Sequence, residues 1–414
     1  MHSDILIVGA GLAGLHCAIR ISEKYPNSII HVLESYNIAG GRVNTYKKGH
    51  LHWEAGAGRI PQSHTLISGY CNKYGLTRFP ISTASSYLNE AGVLKENLWF
   101  ELVELIKEAI KKVPKSHLSL YTMQKILYII FDKKDADNIM SYFPYRSELT
   151  TMRADLAFPK ELSSKETFYG IQEGLFSIIT GMLNELKDRR VKFFYNHRVT
   201  GLGSKDTFPM SLHCSTSNGI KTFTASKIIF ALHSNALRTI RPFSTLPVLK
   251  HLKMNPLLRT YAIFPRTIQK KVWFHDLPRI VTKGPVRHVI PINQKTGLIM
   301  TSYTDGDDTM MWNTYRKNGV LNENIMKELR GMLPMVMIPN PLYMSSHYWE
   351  DGCTYWVPGT YDPVKESNDV MRPFPTRLPD IYICGESYSM KQAWMEGALE
   401  HADAMLNAYF FRTS

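Results

Sequence analysis

Residues 4–25 read DILIVGAGLAGLHCAIRISEKY. A short run of large apolar residues, Ile5 to Val8, meets Gly9, Gly11 and Gly14, and apolar positions then recur at helical spacing through Leu15, Ala18, Ile19 and Ile21. That pattern predicts a buried strand, a tight turn and a helix. A second strand, SIIHVLE, ends at Glu34, twenty residues past Gly14. Three glycines at this spacing are a weak signal alone. Set between strand and helix, with an acid closing the next strand, they mark a dinucleotide site. Gly9 permits the turn, Gly11 lets the backbone approach a pyrophosphate, and Gly14 lets helix and strand pack closely. The helix N-terminus supplies a positive pole for the phosphates. Glu34 is placed to accept hydrogen bonds from a ribose, which favours FAD or NAD over NADP.

The next stretch separates those two cofactors. SYNIAGGRVNTY, residues 35–46, carries Gly40, Gly41 and Arg42 just after the ribose-binding strand. Together with VGAGLAGL and Glu34, this resembles the flavin-containing amine oxidase family of monoamine, polyamine and L-amino acid oxidases. The resemblance implies that Gly41 and Arg42 wrap the diphosphate of FAD, and a bidentate cation beside a pyrophosphate is sound chemistry in its own right.

The far end of the chain is similar to the same family. LPDIYICGESYSMKQAWMEGALEHADAML, residues 378–406, reads as a strand Ile381 to Cys384, then Gly385-Glu386, a loop, and a helix starting near Ala393. The resemblance places Glu386 near the ribityl or diphosphate region and the amide of Met395 at the flavin's pyrimidine edge. A positive helix end there stabilises the negative charge of the reduced ring. Between the two ends, residues 166–202 have a glycine-flanked entry (Gly170, Gly174), a helix through Leu183 and Leu186, and strands, and KIIFAL predicts another strand, Ile228 to Leu232. By resemblance, Val199 of the HRV segment lies against the adenine.

The fold class expected is α/β: a discontinuous, Rossmann-like FAD-binding domain built from residues 1–66, 165–245 and 375–414. Residues 67–164 and 246–374 are expected to form an inserted substrate domain of mixed sheet and helices. The apolar spacing of NLWFELVELIKEAIKKV, residues 97–113, predicts a helix in the latter.

The substrate residues follow from the resemblance. EAGAGRIPQSH, residues 54–64, supplies Glu54, Gly56 and Gly58 ahead of Arg59. In L-amino acid oxidases the corresponding turn carries an arginine before an aliphatic–proline pair, and that arginine binds the substrate's carboxylate. Arg59 precedes Ile60-Pro61, and an arginine fork matches the two carboxylate oxygens. The competing role for Arg59 is a contact to flavin phosphate or a structural carboxylate. Trp394 is expected to form one wall of an aromatic cage, with Trp356 or Tyr355 as the other. Cys353 lies close to the position at which some monoamine oxidases bond to the flavin, but a non-covalent cofactor is expected here. Relatives commonly carry a lysine beside flavin N5; MNPLLRTYAIFP offers Arg259 instead, with Lys253, Lys270 and Lys271 as alternatives. Arginine stays protonated at any working pH, so it cannot act as a base.

Bulk properties agree with a globular enzyme. The chain has 414 residues, a size that favours two domains, and 44% hydrophobic with 21% charged residues argues against disorder. Lys+Arg 49 against Asp+Glu 36 gives +13, but the basic residues occur in pairs and form no nucleic-acid tail. Five scattered cysteines without a CxxC pair indicate a reducing compartment and no metal site. A strand begins almost at the first residue, so no signal peptide is expected, and no apolar run approaches the ~20 residues of a bilayer span. The expected location is the cytoplasm, and neither membrane nor nucleic acid is an expected partner; a homodimer is allowed.

The leading expectation is an FAD-dependent oxidase of an L-amino acid or small amine, using molecular oxygen and releasing hydrogen peroxide. Arg59, Trp394, Trp356 and Arg259 are its catalytic candidates. Two alternatives stay open: a desaturase or oxidase of an apolar substrate, and a catalytically weak flavin protein that uses its basic surface to hold a partner.

Overall fold

The apolar runs around Ile5 and Val32 become the strands His2–Val8 and Ile30–Leu33, paired in parallel. Ile5–Val8 and Ile30–Leu33 are buried on both faces, which is why these stretches show no alternation of buried and exposed positions. The computed structural model describes residues 1–412 other than 83, 90, 91, 93, 97, 162–165 and 204–208. Contacts divide the chain into two units: Met1–Ile81, Lys165–Met254 and Tyr361–Ser414 form the first, Ser82–Ser164 and Asn255–Thr360 the second. The boundary placed at 164–165 lies outside the described residues.

In the first unit, the main sheet runs in the order Val191–Phe194, Ile30–Leu33, His2–Val8, Gly219–Phe230, Met210–Thr216, Arg198–Leu202. Ile381–Ile383 adds in parallel to the end of Gly219–Phe230. Of the strand expected at Ile228 to Leu232, only Ile228–Phe230 is strand, as the tail of a much longer one whose first half pairs antiparallel with Met210–Thr216. Helices Leu12–Lys24, Phe176–Leu186 and Met395–Ala408 cover the sheet, burying Leu15, Ile19, Ile178, Met182, Leu399 and Met405 with Ile7 and Val32. Each such side chain contributes about 1.5–3 kcal/mol by leaving water. The last helix begins at Met395 rather than near Ala393, because Ala393 has φ +66°, a left-handed conformation outside any α-helix.

The second unit holds a mixed sheet in the order Tyr343–Trp356, Leu252–Ile263, Leu298–Asp305, His288–Asn293, Ile280–Thr282, Ser86–Leu88, Leu94–Lys95. Helices Gly306–Lys317 and Leu321–Met332 bury Trp312, Ile325 and Leu329 with Leu258 and Ile299 of the sheet. A helical cluster including Leu98–Ile110, the helix expected from its spacing, packs around Ile106, Ile126 and Tyr355. Among the described residues, no helix is long and apolar enough to cross a membrane, and no group of histidine, cysteine or acidic side chains is arranged to hold a metal.

Candidate active site

The glycine turn after His2–Val8 is built by its neighbours as much as by itself. Gly9 has φ +103°, and its N–H donates to the Leu33 carbonyl at 2.8 Å. A Cβ on Gly14 would stand 1.9 Å from the Gly9 carbonyl oxygen, so the helix approaches the turn as closely as only glycine permits. Gly11 is different. A Cβ there would meet nothing within 4 Å but the Cα of Gly41, at 4.0 Å, and Gly41 itself has φ +57°. Gly11, the residue before the helix, brings no side chain to cap it. Two facing glycines at this helix start leave a cradle that a dinucleotide's diphosphate fits.

Glu34 is buried and already employed. One carboxylate oxygen accepts from the Ala10 N–H at 2.8 Å, and the other from the Tyr36 N–H at 2.9 Å and the Ser35 hydroxyl at 3.1 Å. It thus closes the glycine turn, and a carboxylate has about four acceptor positions, so room remains for a ribose hydroxyl. Val199 is buried on the strand Arg198–Leu202, opposite Cys214.

Arg42 and Glu386 come from opposite ends of the chain and meet: Arg42 Nη2 donates to Glu386 Oε2 at 2.7 Å. The other Glu386 oxygen accepts from the Ala393 N–H at 2.6 Å and so holds the left-handed residue before Trp394. Trp394 occupies the position preceding the helix Met395–Ala408, and its side chain does not cap that helix. Glu396 is fully buried and accepts from the Leu66 and Ile67 N–H groups at 2.8 and 2.9 Å. It thereby caps the helix Thr65–Lys73 from a distant segment.

That helix follows the turn carrying Gly58 and Arg59. The turn runs beside the Arg42 segment, with the Ala57 N–H donating to the Arg42 carbonyl at 2.9 Å and Ala55 to Asn44 at 2.9 Å. Glu54 is tied into the scaffold: it accepts from the Leu175 N–H at 2.8 Å and the Thr45 hydroxyl at 2.9 Å. Arg59 is partly buried. Its guanidinium carbon lies 4.1 Å from the Phe168 ring centroid and 5.7 Å from that of Trp394. Phe168 and Trp394 stack at 6.0 Å and 22°, and His64 meets Trp394 edge-on at 5.2 Å. An aromatic face takes up the flat side of a guanidinium, while its donors point outward in the plane with the fork geometry that a carboxylate needs.

Of the remaining candidates, all but Lys253 belong to the second unit. Arg259 stands directly across from Tyr303 on the neighbouring strand, 4.5 Å over its ring. Tyr145, His288 and Tyr303 pack on one another, and Tyr261 meets His347 edge-on. Burial, reinforced by the Arg259 charge, pushes the His347 imidazole down to about 4, so it stays neutral at physiological pH. Lys253, Lys270 and Lys271 are exposed. Trp356 is buried, and its carbonyl accepts from the Arg153 N–H at 3.0 Å; Tyr355 is packed into the helical cluster, with Cys353 at its edge.

Sequence reasoning passed over Phe168, His64, the capping role of Glu396 and the Tyr303 partner of Arg259. Nothing local to Phe168 ties it to Arg59, and nothing local to Glu396 ties it to the Leu66 and Ile67 amides.

Comparison with known proteins gives one consistent result. The family described as flavin containing amine oxidoreductase matches residues 12–133 and 134–404. Bordonein-L, an L-amino acid oxidase of Crotalus durissus terrificus, is 24% identical over 356 residues, covering 73% of this chain and 66% of its own. YobN of Bacillus subtilis (strain 168) is 22% identical over 468 residues, covering 96% of this chain and 92% of its own. Among solved structures, a cofactor-binding redesign of putrescine oxidase superposes with a TM-score of 0.76 at 16% identity, covering 100% of this chain and 99% of that one. Its wild type bound to putrescine gives 0.74 at 17% identity, covering all of both chains. At such identities the structural likeness speaks for the fold.

Proposed function

The chain belongs to the flavin-containing amine oxidoreductase family, and we propose that it is an FAD-dependent oxidase acting on the carbon next to the amine of an L-amino acid. The observation that carries this reading is the seat of Arg59, a guanidinium laid on Phe168 beside Trp394. A small amine without a carboxylate would have no use for such a fork. The name of the matched Crotalus relative, an L-amino acid oxidase, points the same way.

In this reading the first unit holds FAD. Gly9, Gly11 and Gly14 with Gly41 bind its diphosphate, Glu34 a ribose, and Val199 the adenine. Arg42 and Glu386 serve the diphosphate and ribityl side, Gly58 backs the ring and Met395 its pyrimidine edge. In the second unit, Trp356 and Arg259 are the candidates for a role toward substrate. Bound flavin supplies the two-electron acceptor that amine oxidation requires. The protein's own part is geometry and desolvation. Arg59 holds the carboxylate, and the aromatic wall of Trp394 with Phe168 excludes water and favours the neutral amine. Arg259, always protonated, holds a water or an anionic group and removes no proton. The amino acid leaves as an imine that water hydrolyses to a carbonyl compound and ammonia, and oxygen is reduced to hydrogen peroxide. Cys353 needs no bond to the cofactor. Five cysteines outside any disulfide support a reducing, cytoplasmic setting.

The test is an anaerobic titration of the purified protein followed by its visible absorption. Bleaching by an L-amino acid, and not by its decarboxylated amine, is the expected result. Bleaching by amines alone would keep the oxidase and remove Arg59 from carboxylate binding. A bound flavin that no member of either set reduces would overturn the reading.

A further inference from the structure

Three loops meet at one end of the second unit's sheet. The strand Leu252–Ile263 ends where Leu298–Asp305 begins, with Ile263 opposite Leu298, and Asn293 at the end of its own strand also pairs Leu298. The Phe264 N–H donates to the Gly297 carbonyl at 2.9 Å, and the Leu342 N–H to the Ile263 carbonyl at 2.7 Å. Segments 264–271, 293–297 and 334–342 are therefore neighbours. They are anchored, since Phe264, Val272, Leu333 and Ile338 sit in the core below.

Their tips are unusual in two ways. Ile268 is 98% exposed, Met335 95%, Met337 93% and Leu342 72%. Single exposed apolar residues are ordinary, but four large ones on three segments that start from neighbouring backbone are more than solvated loops usually carry. The same segments carry Arg266, Lys270, Lys271 and Lys295 and no acidic residue.

We infer that this end of the second unit docks on the surface of an anionic phospholipid bilayer. The apolar side chains enter the boundary between headgroups and acyl chains, and the four cations stay at the phosphate level. A protruding side chain needs a partner that yields around it, which a bilayer does without a preformed groove. A second copy of this chain would bring four cations against four others. Lipid phosphates instead complement them. This is peripheral attachment and needs no membrane-spanning helix.

The experiment is co-sedimentation of the flavin-loaded full chain with vesicles of phosphatidylcholine alone and of phosphatidylcholine mixed with phosphatidylglycerol. Binding to the mixed vesicles only, weakening as salt rises, is expected. Met335→Asp with Met337→Asp should lower that binding by about tenfold or more, as the buried apolar area is lost. Lys270→Glu with Lys271→Glu should lower it as well. Both variants should keep the wild-type flavin content and melting temperature, which shows that they fold. Absence of binding to the mixed vesicles would overturn the inference. So would binding unchanged by the methionine substitutions, which would assign it to the general basic surface. Wild-type self-association in light scattering that the same substitutions abolish would also overturn it, in favour of an interface between copies.

Discussion

The guanidinium of Arg59 lies over the ring of Phe168, 4.1 Å from its centroid, although 109 positions separate the two residues. Phe168 stands on a strand paired with Ile60–Pro61, so the backbone that follows Arg59 is bonded to the backbone that carries its aromatic seat. The seat restrains the arginine's plane. A lysine in its place would keep the charge but lose both the plane and the fork.

Arg59→Lys is therefore expected to lower kcat/KM for L-amino acids by roughly 10- to 100-fold, the worth of one charge-assisted hydrogen-bond pair. Decarboxylated amines should react at nearly the wild-type rate. Steady-state oxygen uptake on matched substrate pairs checks this, and equal losses on both sets would count against a carboxylate role.

The two glycines of the turn should part company on substitution. Gly14→Ala places a Cβ 1.9 Å from a backbone oxygen, so the apo-protein itself should melt at a lower temperature. Gly11→Ala places one where protein atoms leave space, at a φ of −78° that alanine adopts freely. That variant should fold as the wild type does and yet retain little flavin. The ratio of flavin to protein absorbance, beside the apo melting curve, separates the two effects.

Removal of the Glu396 carboxylate leaves the Leu66 and Ile67 amides without their acceptor in a buried setting. Glu396→Ala should cost about 1–2 kcal/mol, as lost helix caps do. Glu396→Gln, which keeps one acceptor oxygen, should cost less. Urea unfolding of the three proteins gives the order, and a neutral Glu396→Ala would refute the capping assignment.

Asp305 gives a dependence on pH. Burial pushes its carboxyl up to about 6, against the amide hydrogen bonds from Ser147 and Arg146 that pull it down. The folded state thus holds this proton more tightly than the unfolded chain, whose carboxyl titrates near 3.8. Its contribution to stability is complete below about pH 4 and is lost as pH rises through about 6, by up to roughly 3 kcal/mol. The unfolding free energy of the wild type minus that of Asp305→Asn should fall across this window. A flat difference would show that the carboxylate is ionised throughout.

Much of the nucleotide half was readable because it acts through the backbone. Gly9, Gly11, Gly14 and Gly41 matter for where the main chain goes, and a main-chain path is encoded by the residues on it. The apolar runs that flank them were equally plain, since a strand buried on both faces admits little else. The limits of local reading show at Ala393, where a helix looked ready to start. Its left-handed backbone depends on Glu386, seven residues upstream and bonded at its other oxygen to Arg42.

The sequence by itself determined the glycine turn, the order of strand and helix around it, and the presence of an arginine suited to a carboxylate. Only the tertiary structure decided what surrounds that arginine: Phe168 beneath it, Trp394 and His64 beside it, and Glu396 clamping the helix that follows. It also decided that Arg259 is seated on Tyr303. The reason is physical. A turn is settled by interactions among residues a few positions apart, whereas a side-chain seat is settled by which distant strands pair, and pairing is chosen by the burial of the whole core.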